Sequence, residues 1–265
     1  MRRLSITLGL LLASCAPTPA GTPWSSLASQ ADESGLWIAS ETALLIVPGN
    51  LSPRDTPSLT ARDAEMTAWV PFAPNDCVVA TSNFGTVRYT LDDCSGSFGL
   101  VHATGHLEVT YTQPTTPGEL LFHASTTDLV LNGGAVTFEA DAAVVHDPEL
   151  RVRTITLTID SEGVGPAGTH FTRHGTQTAR WFDTWGCLFV DTGRDTLGVA
   201  GAEWQADTTM LTLCVGECPT MGGTMQWTGM PGAVEVAYPG TNMATWAVEG
   251  APNQAGTLSI ACGGI

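Results

Sequence analysis

The chain has 265 residues, of which 14% are charged, and a formal net charge of −16 carried with ten Arg and no Lys. Such a chain lacks the basic footprint that nucleic-acid phosphates demand, and it lacks the cations that dock proteins on anionic headgroups. Hydrophobic residues make up 43% of it, enough to bury a sizeable core.

The N-terminus carries the clearest motif. Arg2 and Arg3 precede the apolar run Ile6–Leu12, and Leu12-Ala13-Ser14-Cys15 has the order of a lipobox. The run is far shorter than the ~20 apolar residues of a spanning helix. Residues 1–14 therefore read as a cleaved signal peptide of the bacterial lipoprotein type, with an ordinary secretory signal cut after Ala20 as the alternative. Cleavage before Cys15 would free it to carry diacylglyceryl and acyl (palmitate-type) chains, and firm anchoring takes more than one chain. Ala16, in place of Asp, is similar to an outer-membrane sorting signal. The expected location is the cell envelope, at the outer membrane, with the membrane as partner through Cys15. Loss of Arg2 and Arg3 would take the net charge from −16 to −18.

Residues 15–30, rich in Pro, Thr, Ser and Ala, read as a lipidated flexible tether. Residues 31–46 mix acidic and apolar positions and fit a helical turn or a first strand. Pro48, Gly49, Pro53 and Pro57 read as a loop. From Cys77 onward strand follows strand. Thr86–Leu91 and Gly105–Tyr111 alternate apolar and polar residues with period two, and Asp92–Gly96 between them has turn chemistry. Asn132-Gly133 lies between two alternating runs, which predicts a two-residue hairpin. Residues 152–159 predict a strand with a Thr-lined face. Further strands are predicted over 168–173, 177–183, 186–191, 207–214, 223–228, 233–238, 243–248 and 256–262. The expected fold is all-β and disulfide-stapled: an antiparallel β-sandwich or an extended antiparallel sheet of about a dozen strands. The grouping of cysteines suggests two units, an N-terminal one over 31–180 and a C-terminal, disulfide-rich one over 181–265.

Cys15 aside, six cysteines remain, an even number that suits a disulfide framework in an exported protein. Cys77–Cys94 is expected to clip a hairpin. The other four allow three connectivities, of which we expect Cys187–Cys214 and Cys218–Cys262. Cys214 and Cys218 could instead form a local bridge or half a metal site, which an oxidising compartment disfavours.

The stretch Leu91-Asp92-Asp93-Cys94-Ser95-Gly96-Ser97-Phe98-Gly99-Leu100, continuing to Gly105 and Val109-Thr110-Tyr111, resembles a block of uncharacterised β-rich lipoproteins of myxobacteria-type bacteria. The tail from Cys214-Val215-Gly216-Glu217-Cys218-Pro219 to Cys262 is similar to their closing module. The resemblance covers about half the chain at motif level; it implies a β-rich surface lipoprotein and no particular activity.

Few patterns carry chemistry. His102/His106 and His170/His174 have the spacing of helical zinc ligands, but on a strand four residues span ~13 Å, too far for one metal. Asp191-Thr192-Gly193-Arg194-Asp195 opens like a calcium loop, yet its sixth and twelfth positions are Thr196 and Ala202, so it reads as an acidic turn. Asp92/Asp93 and Glu139/Asp141 are the adjacent carboxylates that a glycosidase reading would use. Gly96-Ser97-Phe98-Gly99 departs from a nucleophile elbow. No catalytic residue, metal or cofactor is assigned. The most suggestive cluster is Trp181-Phe182-Asp183-Thr184-Trp185: on a strand, Trp181, Asp183 and Trp185 would share a face suited to a glycan, against the alternative of core packing. The expectation is a non-enzymatic structural or binding lipoprotein, with a carbohydrate-binding surface protein and a secreted hydrolase on a β scaffold as alternatives.

Overall fold

The computed structural model describes residues 24–51, 56–96, 101–114, 116, 118–165, 168–199, 202–214, 222–229 and 232–259. Two helices, α1 (Trp24–Ile46) and α2 (Pro57–Thr67), precede the strands, with a single 3-10 turn at Pro48–Asn50 between them. The strands are β1 (Val78–Asn83), β2 (Thr86–Gly96), β3 (Val101–Thr112), β4 (Glu119–Leu131), β5 (Gly134–Asp147), β6 (Val152–Val164) and β7 (His170–Phe182). They continue with β8 (Cys187–Val199), β9 (Ala202–Cys214), β10 (Gly223–Thr228), β11 (Ala233–Tyr238), β12 (Met243–Val248) and β13 (Ala251–Ser259). Every strand pairs antiparallel with the next, in one thirteen-stranded sheet that is not closed. Of the two architectures expected, the extended sheet is the one formed.

The sheet is curled around α1. Trp37 lies against Gly134 at the start of β5, Gly35 against Met225 of β10, and Gly49 just beyond the helix against Val144 of β5. Asp32 meets Tyr238 of β11, and Glu41 meets Arg173 of β7. One helix touching strands from both halves of a sheet forces that sheet to wrap. Residues 37–49 are buried without interruption, whereas Ser25 and Ser29 in the first turns are exposed, so the second half of the helix has no solvated side. Small residues on it (Ala28, Ala31, Ala39 and Ala43, all buried) let the strands come close. Large core side chains fill the rest, among them Phe138, Leu157, Ile159, Trp181 and Trp227.

Inside the curl, β5 buries Val136, Phe138, Ala140, Ala142 and Val144 while the alternate residues face outward, as period two dictates. The outward residues of β6 and β7 are mostly Thr, Asp, Glu and His, the reverse of the apolar band of a lipid-facing barrel. No described helix is long and apolar enough to cross a membrane.

Several expectations require correction. The tether predicted over 15–30 ends earlier, because Trp24–Gln30 belongs to α1, and residues 31–46 are helix. Pro57 opens α2 and does not continue a loop: Thr56 caps the helix by accepting from the Leu59 amide at 3.4 Å, and Pro is well suited to a first helical turn, where its missing N–H costs nothing. Asp92 and Asp93 lie within β2 at a register shift between Leu91 and Cys94, with Asp93 at φ 52°; the turn chemistry is that of a bulge. The predicted strands 168–173 and 177–183 are one strand, β7, whereas 223–228, 233–238 and 243–248 coincide with β10, β11 and β12. The 132–133 hairpin forms, with Asn132 at φ 47° and Gly133 at φ 82°. The suggested boundary between units at 180/181 lies inside β7, and both the sheet and the core run through it.

Candidate ligand-binding surface

The alternating strand directions give the curled sheet two poles. At one stand the Asn132-Gly133 turn, the Gly165–Thr169 turn and the Gly229–Gly232 turn. Helix α1 begins at this pole, where Trp24 lies against Gly232. The opposite pole holds the β1–β2, β5–β6 and β7–β8 turns, and there large apolar side chains reach solvent: Phe84 is 94% exposed, Leu150 69% and Trp185 64%.

Trp185 sits in the tight β7–β8 turn, whose Trp185 and Gly186 amides both donate to the Phe182 carbonyl. One face of its indole lies on the Phe182 ring, with centroids 4.9 Å apart and planes inclined by 11°. Phe189 stands edge-on to Phe182 at 4.7 Å. The Arg180 guanidinium covers both phenyl rings, at 5.5 Å and 5.9 Å from their centroids. Its Nε and Nη2 donate in a fork to Asp191, the first at 2.6 Å. That fork holds the Arg180 pKa above its ordinary value, with burial opposing it. The aromatic platform is thus ordered, with the Arg180 charge that covers it paired to Asp191.

Along the same outer face runs a row of hydroxyls. Thr156 of β6 pairs with Thr178 of β7, Thr178 with Thr192 of β8, Thr192 with Thr209 of β9, and Thr209 with Thr224 of β10. Five neighbouring strands thus present threonine at one level, spanning ~19 Å at the usual strand spacing. Thr156, Thr178, Thr192 and Thr209 line a shallow trough of about 640 Å³, with Arg194 and Asp207 beside them. Arg194 Nε donates to Asp207 at 2.8 Å, so the charges of the trough are paired as well.

The structure divides the predicted glycan contacts. Trp185 is exposed, but Trp181 is fully buried, and Asp183 is committed to Arg153 at 2.8 Å. The shared face requires a strand running through 185; β7 stops at Phe182, and the chain turns away there. Trp181 points inward with Ala179, as its parity on β7 demands. Phe182 stood in the predicted cluster, whereas Phe189 and Arg180 escaped the sequence reading, because Phe189 reaches Phe182 and Arg180 only through the β7–β8 pairing.

The other candidates fall in diverse places. Cys77–Cys94 and Cys187–Cys214 are disulfides; Cys15, Cys218 and Cys262 lie outside the described residues. His106, His123 and His174 make exposed cross-strand pairs with Asp128, Asp141 and Asp160 at 2.7 Å, 3.0 Å and 2.5 Å. Asp191–Asp195 lies within β8 and not in an acidic turn. Among the described residues, no three His, Cys, Asp or Glu side chains group as metal ligands.

A second polar cluster lies inside. Arg173 Nε donates to Asp195 at 2.6 Å, and its Nη1 donates to Glu41 of α1; the three side chains have no solvent exposure. Glu41 also accepts from Trp37 Nε1 at 2.9 Å. Burial pushes the Glu41 carboxyl up, with Arg173 working against it. Burial alone would lower Arg173, but Asp195 and Glu41 hold it above its ordinary value. Glu41 thus shares one buried guanidinium with a second carboxyl, and its burial favours the neutral form. With no access to solvent, this pair of carboxyls offers a hydrolase no cleft; it joins α1 to β7 and β8.

No protein-family model, no curated protein and no solved structure matches the chain.

Proposed function

We propose that this protein is a lipid-anchored, non-enzymatic binding protein of the cell envelope, held at the outer membrane through Cys15. The reading rests on one observation above the rest: α1 begins at one pole, while Phe84, Leu150 and Trp185 are exposed at the other. A tether entering at Trp24 leaves the aromatic pole facing away from the lipid surface, free to meet a partner. The continuous buried core supports a rigid display module. Lipobox, acidic surface and paired cysteines all suit an exported chain.

Metabolic labelling with radioactive palmitate tests the anchor. The wild-type chain should take up label and Cys15→Ser should take up none; labelled Cys15→Ser protein would overturn the reading. Surface biotinylation of intact cells after single-cysteine substitution of Leu150 tests the orientation, with labelling expected at position 150.

A further inference from the structure

We infer that the outer face of β6–β10, capped by Trp185, is a binding site for a neutral, extended glycan chain. The inference rests on the reading of the protein as a binding module and names its ligand class.

Three features of one surface point to this ligand. The first is the Trp185 indole: one face is backed by Phe182 at 4.9 Å and nearly parallel, and the residue remains 64% exposed. A flat, pre-stacked ring with a free face offers the apolar area that the C–H face of a pyranose covers, and its rotamer is already ordered, so little entropy is lost on binding. The second is the row Thr156, Thr178, Thr192, Thr209 and Thr224, in register across five strands. A hydroxyl both donates and accepts, which matches the hydroxyls of a sugar. Thr178 and Phe182 are four residues apart on β7, ~13 Å along the strand, so an oligosaccharide of a few units bridges row and platform.

The third feature is charge. Arg180 is forked to Asp191 and Arg194 is paired with Asp207, so no free cation waits in the trough for a carboxylate or phosphate. The chain around it is strongly acidic, at −16, and repels polyanions. A peptide or lipid chain would want a continuous apolar groove; here the apolar part is confined to one platform, and the trough is lined by hydroxyls. Neutral sugar fits both parts at once.

Affinity electrophoresis of the full, detergent-solubilised chain tests this, in gels containing laminarin, hydroxyethyl cellulose or alginate. The wild type should be retarded by at least one of the two neutral glucans and not by alginate. Trp185→Ala should weaken retardation at least tenfold. Thr178→Val with Thr192→Val, which removes two hydroxyls and little volume, should weaken it several-fold; circular dichroism shows whether each variant is folded. Retardation by alginate equal to that by the glucans, wild-type binding by folded Trp185→Ala, or no retardation by either neutral glucan would overturn the ligand class. With palmitate labelling at Cys15 intact, such a result would leave the anchored-module reading standing.

Discussion

Asp32 gives the fold a pH dependence that can be worked out in advance. Its carboxylate lies inside the curled sheet, accepting from the Tyr238 hydroxyl at 3.1 Å. Burial pushes its pKa up to about 6 from an ordinary 3.8, with Tyr238 opposing the rise and Glu33 adding to it. In the unfolded chain the proton leaves first, so between pH 4 and 6 the folded state binds more protons and stability falls as pH rises. A shift of about two units corresponds to about 3 kcal/mol, fully lost by pH 7. Asp32→Asn keeps an acceptor for Tyr238 and carries no charge. Urea unfolding of both proteins from pH 4 to pH 8 should show near-equal stabilities at pH 4 and an advantage to Asp32→Asn of about 3 kcal/mol at pH 7. Taking the difference cancels the other carboxyls. Parallel stability curves, or a wild type that gains on the variant as pH rises, would refute the reasoning.

Four further outcomes follow from the same structure. Arg173→Met leaves the buried Glu41 and Asp195 without their cation and should cost about 3–5 kcal/mol in urea unfolding at pH 7. Arg88→Ala, at an exposed pair with Glu108, should cost less than about 1 kcal/mol in the same assay. Cys187→Ser with Cys214→Ser opens a link of sequence separation 27 and should cost about 3 kcal/mol, read as a lower urea midpoint under non-reducing conditions. Gly105→Ala should destabilise by about 1–3 kcal/mol in thermal unfolding, because Gly105 has φ 120° and its Cβ would lie 2.3 Å from the Asp128 carbonyl.

The parts of the fold that sequence made legible are those whose signal is local. Strands β10, β11 and β12 each bury one face, so alternation marks them, and Asn132-Gly133 names its own turn through two positive φ values. Helix α1 escaped for a physical reason. A helix at a protein surface shows an apolar stripe, but the second half of α1, surrounded by sheet, is buried all round and shows none; Glu41 and Asp32, which look like solvated positions, are interior groups with partners on β7 and β11. The same limit governs the surface site. Period two correctly relates Trp181 to Asp183 only while the strand lasts, and the end of β7 at Phe182 is set by the turn that follows. The row of threonines was visible on β6 alone; its extension to four more strands depends on register, which is a property of pairings between strands.

The position of α1 would also tie the proposed anchor to the core. The first described element, α1, is the one around which the strands wind, and its contacts span the chain: Glu41 to Arg173 over 132 residues, Asp32 to Tyr238 over 206. The meander itself is built of neighbour pairings, each closed by a short connection, and such contacts form at low loop-closure cost. The helix cannot lose its exposed apolar surface until those strands have curled about it. Under the anchoring proposed above, a lipid tether joined to that helix would pull on an element held by the core, not on a peelable edge strand. Force at the membrane would then pass into the ion pairs and packing that α1 makes on β7, β8 and β11, and the aromatic pole at the far end would keep its place relative to the point of entry.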